Sequence, residues 1–376
     1  MSPSLHKAKE RLERRTGLHL VRTDAFPYLR AERRFLTVRM DLHNKCNIRC
    51  TMCYFSLDEV WNQPRVEMSD ALLDRLEREV WPRTRELWLS CATEPLIGRK
   101  LGDALTRAKR AGVPSVCIVT NGLGLSEQRA RTLLEGGLDR LCLSFDGATK
   151  ATYERIRHGS NYERVLDNIR RMTALKAEMG LTHPRFDLLA VMMLENLKEW
   201  PALARLAADL GATSFTLIPQ TYYKEFDERD SLWNHREETN ASLGETARIC
   251  AERGIEFDGP GVFNRPHASS DLSMPASAAG GDRACGHCYL PWMQIIVYPN
   301  GEMLPCSPMF AHRHFGNLNE QPFDGIFYGP RFAELREELR TGHYCDLCAN
   351  CPAGHLKDLN DQAAFIPRAI FPAATS

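Results

Sequence analysis

The sequence has no excess of charge of either sign and no long hydrophobic run. Its 376 residues include 48 Lys and Arg and 48 Asp and Glu, a balance that argues against a polyanion such as nucleic acid as partner. Its longest apolar stretches, such as residues 188–194, fall far below the ~18 residues that span a bilayer. We therefore expect a protein that binds neither nucleic acid nor membranes.

The first residues also lack the apolar core of a secretory signal, because charge begins at Lys7, and we expect a cytoplasmic protein. A reducing cytoplasm disfavours disulfides, so the 13 cysteines indicate metal binding or catalysis. Nine of them form two clusters, the first with Cys46, Cys50 and Cys53 and the second with Cys285, Cys288, Cys306, Cys345, Cys348 and Cys351.

Six short apolar or β-branched runs alternate with helical patterns between residues 36 and 219, which is typical of successive strand–helix units in a parallel sheet. The predicted strands cover residues 36–42, 86–91, 115–120, 140–145, 186–192 and 214–219. Their near-continuous apolar character indicates strands covered on both faces. Six units are too few for a closed eight-stranded barrel, so we predict an α/β fold, a partial (β/α)6 barrel with its site at the C-terminal strand ends.

Composition divides the rest of the chain. We predict an N-terminal helical extension over 1–35, the barrel over 36–264, a linker or lid rich in Ala, Ser, Gly and Pro over 265–283, a cysteine-rich α+β domain over 284–355 and a tail over 356–376. The cysteine-rich part, with a predicted hairpin turn at Asn300-Gly301, is smaller than a domain that a hydrophobic core alone stabilises well. A metal centre is the expected stabilising element.

The strongest chemical signal lies directly after the first predicted strand, where Cys46, Cys50 and Cys53 have the spacing C-x3-C-x2-C. Three thiolates can hold three irons of a cubane cluster and leave the fourth iron open, whereas a structural zinc site needs a fourth ligand that this run does not provide. The segment resembles the radical SAM superfamily, whose open iron is chelated by the amino and carboxylate groups of S-adenosylmethionine.

The resemblance continues at the ends of the later predicted strands. In place of the family's usual Gly-Gly-Glu-Pro run stands Ala92-Thr93-Glu94-Pro95, where Thr93 can offer a carbonyl or a hydroxyl to the cofactor, and the usual aromatic residue before the third cysteine is Met52. By resemblance, Ser144 and Arg157 hold the ribose or carboxylate of the cofactor, and Ile218 borders the adenine. The cofactor-binding residues that the resemblance implies are Met52, Thr93, Glu94, Asn121, Ser144, Arg157 and Ile218.

The second cysteine cluster resembles the SPASM or twitch domains of many radical SAM enzymes, which bind auxiliary iron–sulfur clusters. One auxiliary [4Fe-4S] cluster is the economical interpretation, because six cysteines fall short of eight ligand positions; a second, incomplete cluster is the alternative. The predicted ligands are Cys288, Cys306, Cys345 and Cys348, with Cys351 and Cys285 as alternates. A zinc ribbon is the competing hypothesis, since spacing does not separate zinc from iron.

The resemblance implies that an electron from a flavodoxin- or ferredoxin-type donor cleaves S-adenosylmethionine to a 5'-deoxyadenosyl radical, which takes a hydrogen atom from the substrate. With the auxiliary cluster as acceptor of a second electron, we expect an oxidoreductase that dehydrogenates a polar small molecule such as a sugar, aminocyclitol or nucleoside. Candidate catalytic groups are Cys91, Asp146 and Tyr298.

Three alternatives remain open. A peptide-modifying maturase of the thioether or formylglycine type uses the same chemistry, although the segment before residue 36 is short for the recognition domain that many such enzymes carry. Epimerisation needs a thiol such as Cys91 or Cys250 facing the pocket. A zinc-stabilised scaffold with a degenerate barrel is the non-enzymatic alternative, supported by the altered glycines at Ala92 and Thr93.

Overall fold

The computed structural model describes residues 34–220, 228–261, 263, 288, 290–307, 313–343 and 345–349. In these ranges the strands are β1 (Leu36–Met40), β2 (Arg49–Cys50), β3 (Thr84–Trp88), β4 (Ser115–Thr120), β5 (Arg140–Ser144), β6 (Arg157–His158), β7 (Arg185–Met192), β8 (Ser214–Pro219), β9 (Glu256–Asp258), β10 (Gln294–Val297) and β11 (Met303–Leu304). Nine of these strands form one open sheet in the order β11-β10-β1-β3-β4-β5-β7-β8-β9, and β2 pairs separately with β6.

Helices follow most strands and pack on one side of the sheet. Those of four or more residues in the described ranges are Asp58–Trp61, Asp70–Arg75, Leu76–Val80 (a π-helix), Leu101–Arg110, Glu127–Glu135, Lys150–Ile156, Tyr162–Glu178, Leu194–Glu199 (3-10), Trp200–Asp209, Arg236–Arg253, Leu290–Met293, Phe323–Phe327, Pro330–Thr341 and Asp346–Ala349. Single 3-10 turns occur at Tyr54–Ser56, Trp81–Arg83, Pro95–Ile97 and Glu228–Asp230. Ser69 and Ser126 begin two helices by accepting the backbone N–H of Leu72 and Arg129, as expected of N-cap serines.

The six predicted strands are confirmed as β1, β3, β4, β5, β7 and β8, each within three residues of its predicted bounds. They pair in parallel and in chain order. Right-handed crossovers through helices are the usual way to join such strands. The α/β class and the open, partial barrel are therefore confirmed.

The strands are largely buried on both faces, as expected, but only one of the two faces is apolar. In β1, Leu36, Val38 and Met40 belong to the hydrophobic core, while Thr37 and Arg39 alternate with them and point to the opposite face. That inner face, which we call the lumen, also carries Trp88, Arg140, Cys142, Asp187 and Ser214 by the same alternation and the strand register. The lumen face is therefore polar and yet largely buried, with Thr37, Asp187 and Ser214 at most 5% exposed.

The cysteine-rich part adds strands to the same sheet. β10 pairs in parallel with β1, with Val38 opposite Ile295, and in antiparallel orientation with β11, so the predicted hairpin is confirmed. Its turn requires glycine, because Gly301 has φ +88° and a Cβ there would lie 2.4 Å from Asn317 Oδ1. The auxiliary module is thereby hydrogen-bonded to the first strand of the barrel.

Several predicted parts lie outside the described residues: nearly all of the N-terminal extension, the linker or lid, the C-terminal tail, Cys285 and Cys351. Among the helices that the structure describes, none combines the length and apolar character needed to cross a membrane.

Candidate active site

The thiols of the first motif lie in the loop that follows β1. Cys50 belongs to β2, which pairs with β6 so that Cys50 is opposite Arg157. Arg157 Nη1 lies 3.8 Å from Cys50 Sγ, and Thr51 N donates a 2.9 Å hydrogen bond to Ile156 O. This small antiparallel pair fixes the middle of the cysteine loop beside a buried guanidinium.

The three thiols are close enough to affect one another's ionisation. Burial raises the pKa of Cys46 to about 12 and that of Cys50 to about 11, and neighbouring thiols of the loop raise both further. Burial likewise raises the pKa of Cys53. Iron ligation replaces the protons on such sulfurs, and three clustered thiols beside a cation form a donor set that fits a three-cysteine iron–sulfur cluster.

A buried carboxylate holds the loop that follows β3. Asp41, only 1% exposed, accepts hydrogen bonds through Oδ1 from the backbone N of Cys91 at 2.9 Å and of Thr93 at 3.2 Å. It also accepts from Thr93 Oγ1 at 2.8 Å and, through both oxygens, from Ala92 N at 3.2 Å. The hydroxyl proton of Thr93 is thus bound to Asp41, so that of the two groups predicted to contact the cofactor only the carbonyl is not engaged by Asp41.

Glu94 connects this loop to the end of β4. Its fully buried carboxylate accepts hydrogen bonds from Thr120 Oγ1 at 2.6 Å, Asn121 N at 2.8 Å and Leu96 N at 3.0 Å. Burial raises the pKa of Glu94, and these donors oppose the rise. Asn121 Nδ2 donates in turn to Asn47 Oδ1 in the cysteine loop at 2.8 Å. Glu94 and Asn121, both predicted to bind the cofactor, here hold three loops to one another.

Asp146 and Arg157 form a buried ion pair with an Nη2–Oδ2 distance of 2.6 Å. Asp146 Oδ1 also accepts from Val191 N at 2.7 Å. Burial raises the pKa of Asp146, and the guanidinium of Arg157 works against that rise. Asp146, predicted as a catalytic candidate, therefore lies where it orients Arg157 toward Cys50.

Two tyrosines and a thiol gather where the cysteine loop meets β10 and the end of β3. Burial raises the pKa of Tyr54, and the proximity of Tyr298 and Cys91 raises it further; Ser307 hydrogen-bonds the Cys91 thiol. Burial raises the pKa of Cys91 to about 12, so this thiol carries its hydrogen at neutral pH. We call Tyr54, Cys91 and Tyr298 the mouth of the lumen. Cys91 and Tyr298 were both predicted as candidates.

Sequence reasoning missed Asp41, Tyr54 and the polar lumen. A signal was available, because Thr37, Arg39 and Asp41 recur at every second position of an otherwise apolar run, the pattern of a strand with one polar face. Tyr54 directly follows the third cysteine, where no spacing rule distinguishes it.

The remaining predicted residues fall at different places. Met52 is half-buried beside Cys53, and Ser144 is half-buried at the end of β5. Ile218 is 39% exposed near the end of β8. Cys250 is buried in the hydrophobic core, so of the two thiols named for epimerisation only Cys91 remains a candidate.

The second cysteine cluster brings together the four predicted ligands. Cys345 hydrogen-bonds Cys348, and Cys345, Cys306 and Cys288 all raise the pKa of Cys348, after burial as the largest cause. All four thiols are half-buried and pack against the core. Within the described ranges, no three His, Cys, Asp or Glu side chains surround a point that suits a single metal ion. Four thiols that each bind a different iron of one cubane cluster need not surround a single point.

Two protein families match this architecture. Residues 40–207 match the radical SAM superfamily, and residues 288–352 match SPASM, an iron-sulfur cluster-binding domain. The two segments contain both cysteine clusters and together cover more than half of the chain.

Relatives of similar length support the assignment. A PqqA peptide cyclase from Streptomyces rochei is 26% identical over 84% of this chain and 81% of its own length. A tungsten-containing aldehyde ferredoxin oxidoreductase cofactor-modifying protein from Pyrococcus furiosus is 26% identical over 83% of this chain and 86% of its own length. The structure of Streptococcus suis SuiB bound to precursor peptide SuiA superposes with TM-score 0.61 at 12% identity, over 83% of this chain and 70% of that one.

The cysteine loop, the open parallel sheet and the joined auxiliary module agree with these matches. The protein uses [4Fe-4S] clusters and S-adenosylmethionine, and it belongs to the radical SAM superfamily, with a C-terminal SPASM domain.

Proposed function

We propose that this radical SAM enzyme modifies a side chain of a peptide or protein, the second of the hypotheses drawn from the sequence. The observation that carries the proposal is the similarity, over more than four-fifths of both chains, to a protein described as a peptide cyclase. The fold shared with a SuiB structure that holds its precursor peptide is consistent with it. These relatives favour peptide modification over oxidation of a sugar, aminocyclitol or nucleoside.

The arrangement of the sheet supports this function. β1 carries Arg39 on the lumen face, the cysteine loop follows β1, and β10 of the SPASM domain pairs with β1. Tyr298, directly after β10, thereby lies at the mouth with Tyr54. The strand that leads into the first cysteine cluster and a strand of the SPASM domain therefore lie side by side, next to the lumen that we propose the substrate side chain enters.

When bound, the first cluster and S-adenosylmethionine supply a 5'-deoxyadenosyl radical that removes a hydrogen atom from carbon. We assign Cys46, Cys50 and Cys53 to that cluster, and Cys288, Cys306, Cys345 and Cys348 to an auxiliary [4Fe-4S] cluster that accepts the second electron. A flavodoxin- or ferredoxin-type protein is the proposed electron donor.

The protein's own residues hold the cysteine loop and the cofactor-binding loop in place and shield the site from water. Asp146 holds Arg157 beside Cys50, and Asp41 fixes the backbone at Thr93 for the cofactor's amino group. Half-buried aromatic and thiol groups at the mouth limit the access of water, which protects a reactive intermediate from side reactions.

The test uses the reconstituted enzyme with S-adenosylmethionine, a chemical reductant and synthetic peptides from short reading frames adjacent to the gene. We expect one peptide to lose the mass of two hydrogen atoms while 5'-deoxyadenosine accumulates in equal amount. The variant with Cys46, Cys50 and Cys53 all changed to Ala is the control and forms neither product. If sugars or aminocyclitols stimulate 5'-deoxyadenosine formation and peptides do not, oxidation of a small molecule is the correct function.

Epimerisation is the second candidate, and one thiol favours it. Cys91 lies at the mouth and stays protonated, so it can donate a hydrogen atom to a substrate radical; one electron from the proposed auxiliary cluster, replenished by the external reductant, and one proton from solvent then restore the thiol from the thiyl radical. In heavy water an epimerised product carries one solvent deuterium, which Cys91→Ala abolishes, whereas a cross-linked peptide carries none.

A further inference from the structure

The lumen contains a guanidinium that has no counter-ion. Arg39 stands near the C-terminal end of β1, and its guanidinium carbon lies 5.7 Å from the ring centroid of Trp88, the residue opposite it on β3. Its Nε is buried and has no hydrogen-bond partner. Among the residues that the structure describes, no carboxylate forms an ion pair with Arg39.

A second polar group on the same strand face is also unpartnered. Thr37, two residues before Arg39, is 5% exposed, and its Oγ1 has no hydrogen-bond partner. Buried polar atoms without a partner are uncommon in native folds, and a bound water, ion or ligand is one of the usual ways to satisfy them. Two of them at adjacent positions of one face indicate a polar ligand at this place.

Arg39 shares the lumen face with Glu86, which stands opposite Thr37 on β3 and acts on Cys142 together with Arg39. No ion pair joins these two side chains in the part of the chain that the structure describes. Arg140 also approaches Trp88, at 5.6 Å, but it is paired with Asp187. Asp41, the next residue on the lumen face, has its carboxylate occupied by the backbone amides of the β3 loop. The ligand that neutralises Arg39 must therefore come from outside these groups.

The position of Arg39 is close to the mouth. Its charge opposes the burial that raises the pKa of Cys91, and it acts in the same way on Cys142 in β5. A group bound to Arg39 therefore lies in the lumen near Cys91. A substrate that reacts at the mouth can reach this position with a neighbouring part of its structure.

We propose that Arg39, with Thr37 and Trp88 beside it, binds a carboxylate of the substrate. A guanidinium offers two parallel N–H donors that match a carboxylate, and the indole face of Trp88 holds the guanidinium by cation–π contact. The Thr37 hydroxyl can donate a further hydrogen bond. The inference rests on the proposed peptide substrate, in which an acidic side chain and a C-terminus both supply this carboxylate.

Three small probes separate the two sources without turnover. N-acetyl-glutamate α-amide carries only a side-chain carboxylate, N-acetyl-glutamine only a C-terminal one, and N-acetyl-glutamine amide carries none. Binding to the reconstituted enzyme with S-adenosylmethionine is measured by ligand-observed NMR. We expect one carboxylate probe to bind at least about tenfold more tightly than the neutral probe, and the preferred probe identifies the source.

Arg39→Gln is expected to abolish that preference. Arg39→Lys is expected to reduce it severalfold, because Lys keeps the positive charge but lacks the two parallel N–H donors of the guanidinium. Arg83→Gln is the matched control, since Arg83 also stacks on an aromatic ring, at 5.2 Å from Phe323, and lies outside the lumen. The control keeps the wild-type preference.

Equal binding of the three probes to the wild type, or a preference that survives Arg39→Gln, overturns the proposal. A loss of affinity for S-adenosylmethionine in Arg39→Gln with probe preference intact also overturns it, because Arg39 then serves the cofactor's carboxylate. Since the readout is equilibrium binding, failure to modify any peptide counts against the proposed function and not against this site.

Discussion

The carboxylate of Asp41 binds Thr93 twice, through the backbone N at 3.2 Å and through the hydroxyl at 2.8 Å. The same carboxylate accepts the amides of Cys91 and Ala92, so three consecutive N–H groups converge on one buried anion. This explains how a loop without the family's two glycines keeps its turn: a charged acceptor from the neighbouring strand holds the backbone in place.

Asp41→Asn is expected to weaken binding of S-adenosylmethionine by roughly tenfold or more and to destabilise the fold by about 1–3 kcal/mol. The amide of Asn has one acceptor oxygen fewer than the carboxylate, and its NH2 group then faces the backbone N–H groups of the β3 loop. Calorimetry of cofactor binding and urea unfolding measure the two effects. Asp139→Asn is the control, since Asp139 also accepts a backbone amide, that of Val116, at the opposite end of the strands; it lowers stability only. Unchanged cofactor affinity in Asp41→Asn contradicts the positioning role.

Asp146→Asn is expected to destabilise the protein by about 3–5 kcal/mol, because it leaves the buried Arg157 charge without a counter-ion. Urea unfolding of the cluster-free protein measures this loss. Asp58→Asn is the matched control: Asp58 pairs with Arg49 at the same 2.6 Å distance, but its side chain is 77% exposed. Exposed pairs contribute about 0–1 kcal/mol, so similar losses in the two variants disprove the argument from burial.

Iron and sulfide content after anaerobic reconstitution distinguishes the two clusters. We expect about eight irons in the wild type, about four in the Cys46, Cys50, Cys53 triple alanine variant and about four in Cys348→Ala, because each change removes ligands of one cubane cluster. Cys117→Ala, which alters a buried thiol of β4, keeps the wild-type content. About eight irons in the triple variant indicate a further auxiliary cluster, and zinc in place of iron in the C-terminal module supports the zinc ribbon.

The rate at which the Cys91 thiol is alkylated is expected to depend on pH. With a pKa of about 12, its thiolate fraction at pH 8 is on the order of one in ten thousand, against roughly a quarter for an ordinary thiol. Alkylation by iodoacetamide is therefore slow in the native protein and rises about tenfold per pH unit from pH 7 to 9.5. In the urea-unfolded chain the rate is already levelling at pH 9. Mass spectrometry of the Cys91 peptide follows both, and levelling near pH 9 in the native protein contradicts the assigned burial effect.

Much of the barrel follows from local sequence. Strand–helix alternation predicts β1, β3, β4, β5, β7 and β8 within three residues, because each unit has its own hydrophobic period and turn signals. The prediction fails on the polar lumen. The apolar residues on one face of each strand dominate the sequence pattern. The polar residues on the other face, such as Arg39 and Asp41, form a common surface only when the strands lie side by side in the sheet.

The candidate site shows the same division. Motif spacing indicates the cysteines, and the family resemblance adds Glu94, Asn121 and Arg157 as cofactor-binding residues, which stays a prediction. What the sequence does not indicate is that the side chains of Glu94 and Asn121 also hold loops together. Such assignments depend on which donors surround a carboxylate, and those donors come from segments far apart in sequence.

The sequence by itself determined the chemistry of this protein, since three thiols within eight residues and a second cysteine cluster specify iron–sulfur ligation wherever they fold. Only the tertiary structure decided that β10 pairs with β1, that Asp41 binds the β3 loop and that Arg39 has a buried Nε without a hydrogen-bond partner. Ligand spacing is local and is preserved in the unfolded chain. Strand register, burial and charge pairing arise only when distant segments pack together, because they depend on which neighbours replace water.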